Sequence, residues 1–161
     1  MTQTVTHSLD AKYYTDPEIF RIEQDGVLAR TWQFAVHSSQ LENAGDYIAF
    51  EMAGESLFCI KGRDGIIRTF YNVCQHRAHQ LVSGTGTTRV VVCPYHAWTY
   101  ELTGGLRAGP NINVVEGFDK SKICLTEVRT EIFLGFVFVN LDNDAKQMDD
   151  WFPNVRVELT Q

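Results

Sequence analysis

Apolar positions along this chain recur with two different periods. Between residues 17 and 30, Phe20, Val27 and Leu28 recur at helical spacing, with Trp32 just beyond. Asp16-Pro17-Glu18 supplies the start signal. The aspartate can cap a free backbone N–H, the proline fits the first turn, and the glutamate suits the positive end of the helix dipole. Arg21, Glu23 and Asp25 fall mostly off the apolar stripe, so an amphipathic helix over 17–30 is predicted, preceded by a loose leader over 1–15. After Trp32 the period shortens to two. "WQFAVHSS" reads as a short strand, and "DYIAFEMAG" and "ESLFCIKG" as a pair joined at Ala53-Gly54. "IIRTFYNV" follows the tight-turn signal Arg63-Asp64-Gly65. "TRVVVC" and "AWTYEL" come next, then a turn at Thr103-Gly104-Gly105, then two β-rich runs in "CLTEVRTEIFLGFVFVNL" broken near Gly135. Short strands with frequent turns predict a mainly β domain, a small sandwich or barrel with one N-terminal helix. The last stretch, "DNDAKQMDDWFPNVRVELTQ", is polar and acidic before its Trp-Phe-Pro. The chain therefore divides into a leader (1–15), a domain (16–141) and a linker or the start of something larger (142–161).

Composition narrows the class. With 161 residues, 44% of them hydrophobic, the chain can bury one real core. A formal net charge of -6 argues against nucleic acid as a partner. Residues 1–14 lack the basic start and apolar centre of a secretory signal, and the longest apolar runs, such as 132–139, are too short to span a bilayer. A soluble, cytoplasmic protein is expected, with no membrane partner. Four cysteines are present: Cys59, Cys74, Cys93 and Cys124. Without a secretory signal, and with histidines beside two of them, metal ligation is expected rather than disulfide bridging. Cys59 and Cys124 lie on apolar local patterns and read as plain buried thiols.

The chemistry concentrates in two stretches, "VCQHRAHQL" at 73–81 and "VVCPYHAWTY" at 91–100. Each pairs one cysteine with one histidine, Cys74 with His76 and Cys93 with His96, and each lies between strand-like runs. Two thiols and two imidazoles suit a tetrahedral zinc ion. The familiar zinc fingers, however, put both cysteines in one knuckle and both histidines on one helix, and no helical period carries these histidines. Zinc in a binding module stays open as a reading. A two-iron cluster is the other: in a Rieske centre the cysteines bind one iron and the histidines the other, and two loops with the order C-x-H and C-x-x-H satisfy that division. No glycine-rich phosphate loop is present. No serine–histidine–aspartate arrangement is signposted either. Gly84, Gly86, Gly104 and Gly105 read as turn residues.

The segments "YNVCQHRA" and "CPYHAWTYELTG" resemble the α subunits of Rieske non-haem iron oxygenases, the ring-hydroxylating dioxygenases and related monooxygenases. The resemblance runs from about Tyr13 to Leu141. It implies a Rieske fold with the cluster held by two hairpin loops, and Cys74, His76, Cys93 and His96 as ligands of a [2Fe-2S] cofactor. It implies that Trp98 covers the cluster. Tyr95 either bonds a cysteine sulfur or packs, and Arg77 either orients its loop or is a solvated surface group. His79 makes a tempting H-x-x-H with His76 but finds the four ligand positions filled; His37 and His7 read as non-ligands.

The resemblance also implies a second site, a mononuclear Fe(II) held by two histidines and one carboxylate. The three histidines left over here form no such triad, so that site is expected in a C-terminal domain. The chain then serves as an electron relay, reduced by a reductase or ferredoxin and passing electrons to its own or a neighbouring subunit's catalytic domain, in a homotrimer. O2 is activated there for hydroxylation or demethylation, with quaternary ammonium or aromatic compounds as substrate classes. The alternative is a stand-alone Rieske ferredoxin. Such ferredoxins usually lack an N-terminal helix, so the helix over 17–30 points to the oxygenase.

Overall fold

In the computed structural model, residues 8–112, 114, 116–152 and 154–159 are described; His7 lies outside them. The predicted helix forms as α2 (Pro17–Gly26), entered through Asp16, whose side chain accepts from the Glu18 N–H at 2.9 Å. It ends four residues sooner than the apolar spacing suggested. Gly26 is the last helical residue, and the chain tightens into a 3-10 turn at Leu28–Arg30. The expected loose leader contains one helical turn, α1 (Lys12–Thr15). The stripe on α2 is not a core face: Phe20, Ile22 and Val27 remain exposed.

Ten strands follow the alternating pattern: β1 (Gln33–His37), β2 (Asp46–Met52), β3 (Glu55–Lys61), β4 (Ile67–Tyr71), β5 (Thr85–Thr87), β6 (Val91–Val92), β7 (Thr99–Tyr100), β8 (Leu106–Ala108), β9 (Glu127–Phe133) and β10 (Phe136–Asn140). Seven form one curled antiparallel sheet in the order β1-β10-β9-β4-β3-β2-β5, and β6-β7-β8 form a second. The β2–β3 hairpin turns at Ala53 and Gly54, both with positive φ, as its two-residue loop requires. The break near Gly135 is likewise a two-residue turn, Leu134-Gly135, with both φ positive. β5 and β8 were not legible in the pattern, because β5 buries no residue and β8 only Leu106, so neither shows an apolar face.

The core closes between the two sheets. Phe58 and Phe70, paired across β3 and β4 with rings 5.7 Å apart, pack with Ile60, Leu102, Leu106 and Leu125. An aromatic pair of this kind adds about 0.5–1.5 kcal/mol beyond its area. Cys74, Cys93, Trp98 and Tyr100 belong to this same cluster, so the ligand loops grow directly out of the core. Beyond β10 the chain is not free at once. The Trp32 indole donates to the Lys146 carbonyl at 3.0 Å, and the Met148 N–H donates to Glu131 at 2.9 Å. Two short helical stretches follow, α3 (Met148–Trp151) and α4 (Val155–Leu159), with Met148 buried. No helix among the described residues is long and apolar enough to cross a membrane.

Of the two thiols expected to be plainly buried, one is. Cys59 is fully buried on β3 beside Thr69, and burial pushes its thiol up to about 11. Cys124 is exposed: it sits in the connection before β9, between Ile123 and Leu125, which both pack against the core. Its local sequence is apolar, but the segment is not a strand with an inner face.

Candidate metal centre

The two loops share one backbone. In the first, the Ala78 N–H reaches back to the Cys74 carbonyl at 2.9 Å, and the Cys74 N–H donates to the His79 carbonyl at 2.9 Å. In the second, the Ala97 N–H donates to the Cys93 carbonyl at 3.0 Å, and the Cys93 N–H to the Trp98 carbonyl at 2.8 Å. Each alanine adopts the left-handed region, φ 53° at Ala78 and 56° at Ala97. That conformation costs a non-glycine residue about 1–2 kcal/mol, so each loop is held by its surroundings rather than by preference. The histidine sits two residues after the cysteine in one loop and three in the other.

The loops are clamped differently. The first is closed by a lone bridge between Val73 and Gln80 and by the buried Asn72 side chain. Asn72 Oδ1 accepts from the Leu81 and Val82 N–H groups at 3.1 and 3.0 Å, and its Nδ2 donates to the Val82 carbonyl at 2.8 Å. The second loop is the turn of the β6–β7 hairpin, fixed by the strand ladder and by Thr99 Oγ1 donating to the Ala97 carbonyl at 3.1 Å.

The four side chains singled out in the sequence divide by depth. Cys74 and Cys93 are each 2% exposed. His76 is exposed and His96 half-buried, with ring centroids 4.8 Å apart. Among the described residues no three His, Cys, Asp or Glu side chains converge as a single-ion site would need. Two inner thiols and two outer imidazoles are the donor set that a two-iron cluster divides in pairs, so the residues present fit that cluster better than zinc. Partial desolvation, then the neighbouring positive charges of His76, Arg77 and His79, holds the His96 imidazole below its ordinary range. The neutral ring is the form that binds metal.

Trp98 is 8% exposed, and its ring lies parallel to the His76 ring, 4.8 Å away and tilted by 12°. Gly109 makes room for it, since a Cβ there would come within 2.8 Å of Trp98 Cδ1. Tyr95 does not reach a sulfur. It is 57% exposed, with its ring centroid 3.8 Å from that of His96 and 5.4 Å from that of His79. The hydroxyl at the sulfur belongs to Tyr100, 3.2 Å from Cys74 Sγ. It also accepts from the Gln75 N–H at 3.0 Å, and toward a deprotonated sulfur, which has no proton to give, it is the donor. Burial first, then the Cys74 contact, pushes the Tyr100 phenol up. Arg77 is exposed. His79 turns its Nδ1 to the Gln80 carbonyl at 2.7 Å, and His37 pairs with Ser39 Oγ at 2.7 Å, away from the loops. Beside the imidazoles lies an open depression of about 550 Å³, floored by Pro110, Ile112 and Phe118.

Asn72, Tyr100 and the two alanines were missed by sequence reasoning. The signal for the alanines was present, because "CQHRA" and "CPYHA" both read C-x-x-x-A.

Comparison with known proteins agrees with this geometry. Residues 31–119 match the Rieske [2Fe-2S] domain family. The chain is 43% identical over 155 residues to the carnitine monooxygenase oxygenase subunit of Escherichia coli K12, covering 96% of this chain and 41% of that protein. It is 37% identical over 150 residues to the 2-aminobenzenesulfonate 2,3-dioxygenase α subunit of an Alcaligenes species, covering 91% and 38%. Among solved structures, a quaternary ammonium Rieske monooxygenase studied for carnitine oxidation and inter-subunit electron transfer superposes with a TM-score of 0.86 at 39% identity, covering 93% of this chain and 41% of that one. The chain thus spans about two-fifths of the length of these relatives. The chain belongs to the Rieske [2Fe-2S] domain family, in the form carried by the oxygenase subunits of Rieske oxygenases.

Proposed function

We propose that this chain relays single electrons within an oxygenase, using a [2Fe-2S] cluster held by Cys74 and Cys93 at one iron and by His76 and His96 at the other. The observation that carries this reading is the pair of matched loops that buries two thiols and presents two imidazoles 4.8 Å apart. When bound, such a cluster takes up and releases one electron at a time, at a potential of roughly -150 to +300 mV, above the approximate -400 mV of plant-type ferredoxins, because imidazole replaces anionic thiolate. The protein shapes that chemistry. Tyr100 donates to the Cys74 sulfur and stabilises negative charge there. Trp98 keeps the His76 ring in one plane. The exposed imidazole edge leaves a route for electrons to a partner.

Residues 16–141 are the cluster domain in this reading, and 142–161 lead toward a catalytic domain with a mononuclear Fe(II). The support is that oxygenase subunits matching this chain are more than twice its length. A reductase or ferredoxin supplies the electrons. The catalytic domain of the same or a neighbouring subunit receives them, in a homotrimer in the cytoplasm. A quaternary ammonium compound is the proposed substrate class, favoured by 43% identity to a carnitine monooxygenase subunit against 37% to an aminobenzenesulfonate dioxygenase subunit.

Purified protein tests the relay. It should be red-brown, hold iron and acid-labile sulfide in equal amounts, and give a reduced-state EPR spectrum of histidine-ligated type. A colourless protein carrying zinc overturns it. For the substrate, the full-length oxygenase with its reductase should consume O2 with carnitine and not with 2-aminobenzenesulfonate; the reverse result moves it to the aromatic class.

A further inference from the structure

The chain carries 14 basic and 20 acidic residues, yet one exposed area of it is cationic. Glu101 lies at its centre. Arg63, from the β3–β4 turn, stands 3.8 Å from Glu101 Oε2, and Arg107, on β8, 3.5 Å from Oε1. Lys120 joins them, with Nζ donating to the Arg107 carbonyl at 3.1 Å. Arg63 also donates to the carbonyl of Arg89, itself exposed. The nearby acids do not balance these charges. Asp64 is taken by Arg68 at 2.7 Å, and Asp119 is shared with Lys122 at 3.8 Å. Two arginines therefore flank one carboxylate, with a lysine beside Arg107, and both arginine side chains are more than half exposed.

The placement of this patch is specific. Arg107 falls where the β7–β8 register slips, since Thr99 pairs with Ala108 but Tyr100 with Leu106. Such a bulge leaves one residue unpaired and re-aims its side chain. Glu101 directly follows Tyr100. Strand alternation turns Tyr100 inward, to Cys74 Sγ, and Glu101 outward, to the arginines. The patch is thus backed by the residue that touches a ligand sulfur, whereas the depression beside His76 and His96 is lined by other residues.

We propose that the surface formed by Arg63, Arg107 and Lys120 around Glu101 is the docking site for an acidic electron-donor protein, separate from the imidazole edge. The inference rests on the relay proposed above and adds to it an entry face. A donor seated there leaves the imidazole edge free for the catalytic domain, so the two partners need not exchange places between electrons. A cationic patch on an otherwise acidic protein steers an acidic partner into one orientation and repels it elsewhere, which raises the encounter rate 10- to 1000-fold in general and makes it salt-dependent.

Stopped-flow reduction of the cluster-loaded, full-length oxygenase by a reduced acidic plant-type ferredoxin tests this. The wild-type rate should fall steeply as salt is raised. An Arg63→Gln/Arg107→Gln variant should react roughly tenfold more slowly at low salt and show a flattened salt slope. Glu101→Gln should react faster than wild type, a sign that a folding defect would not produce. Dithionite should bleach the cluster of all three proteins to the same extent. Equal ferredoxin rates and salt slopes in wild type and the double variant overturn the docking site, as does a dithionite-competent wild type that the ferredoxin fails to reduce. A wild type with no cluster for dithionite to bleach refutes the relay itself, and the docking site with it.

Discussion

The two ligand loops follow the same backbone path from different sequences and are held there by different means. Residues 74–79 depend on side chains from outside the loop, Asn72 from the strand before it and Tyr100 from the other sheet. Residues 93–98 depend on the hairpin ladder to which they belong. The contrast teaches that one turn conformation can be held by two different local supports. It also ranks the loops. Backbone bonds in a ladder survive most substitutions, whereas a loop that leans on a buried asparagine and a tyrosine is weakened when either is replaced.

Substitutions that act on both loops alike have the largest expected effect. Cys74→Ser and Cys93→Ser should each abolish the cluster, read as loss of visible absorbance and of iron, because metal binding is part of the folding free energy. Loading that survives in either variant breaks the equivalence of the loops. Asn72→Ala comes next and should separate them. It strips hydrogen bonds from a buried site, at a cost of about 2–4 kcal/mol in denaturant melts, and should lower iron occupancy. Thr99→Ala, which removes one partly exposed bond in the second loop, should cost under about 1 kcal/mol. Ala78→Val and Ala97→Val should both destabilise the protein, since a β-branched residue fits the left-handed region worse than alanine does. Unequal costs would show that the common path is not equally strained.

Tyr100→Phe should cost about 1 kcal/mol of stability and lower the reduction potential with the cluster retained, measured by redox titration. The least disruptive test concerns the thiols outside the loops. Iodoacetamide should label Cys124 in the native protein and leave Cys59 unmodified. Burial raises the Cys59 thiol from 9.0 to about 11, so the folded state holds its proton to higher pH than the unfolded chain does. The stability linked to this group is therefore complete below about pH 9 and is lost as pH rises toward about 11. A melting temperature flat across that window argues against it.

The strand pattern was readable where one face of a strand is buried, as at Val137 and Val139 of β10, which flank a half-buried Phe138 and follow an exposed Phe136. β5 and β8 carry no apolar face beyond Leu106, so they left no pattern to read. The helix was overextended because Leu28 continues the spacing of Phe20, while Gly26 ends the regular turn before it. At the metal centre, the donor types and their order were visible in the text, but their support was not. Asn72 gives no signal, since its four partners come from residues 56, 81 and 82. Tyr95 was the tyrosine weighed for a sulfur contact, and Tyr100, which makes it, was not considered. Only the pairing of Tyr100 with Leu106 and Val91 shows which of the two tyrosines faces inward.

Burial of the two thiols has a consequence for how the protein is made. At 2% exposure, neither Cys74 nor Cys93 can be reached by a scaffold delivering iron and sulfide once the core has closed over them. Insertion into a chain whose two loops are still open should therefore be faster than into one that has finished folding empty.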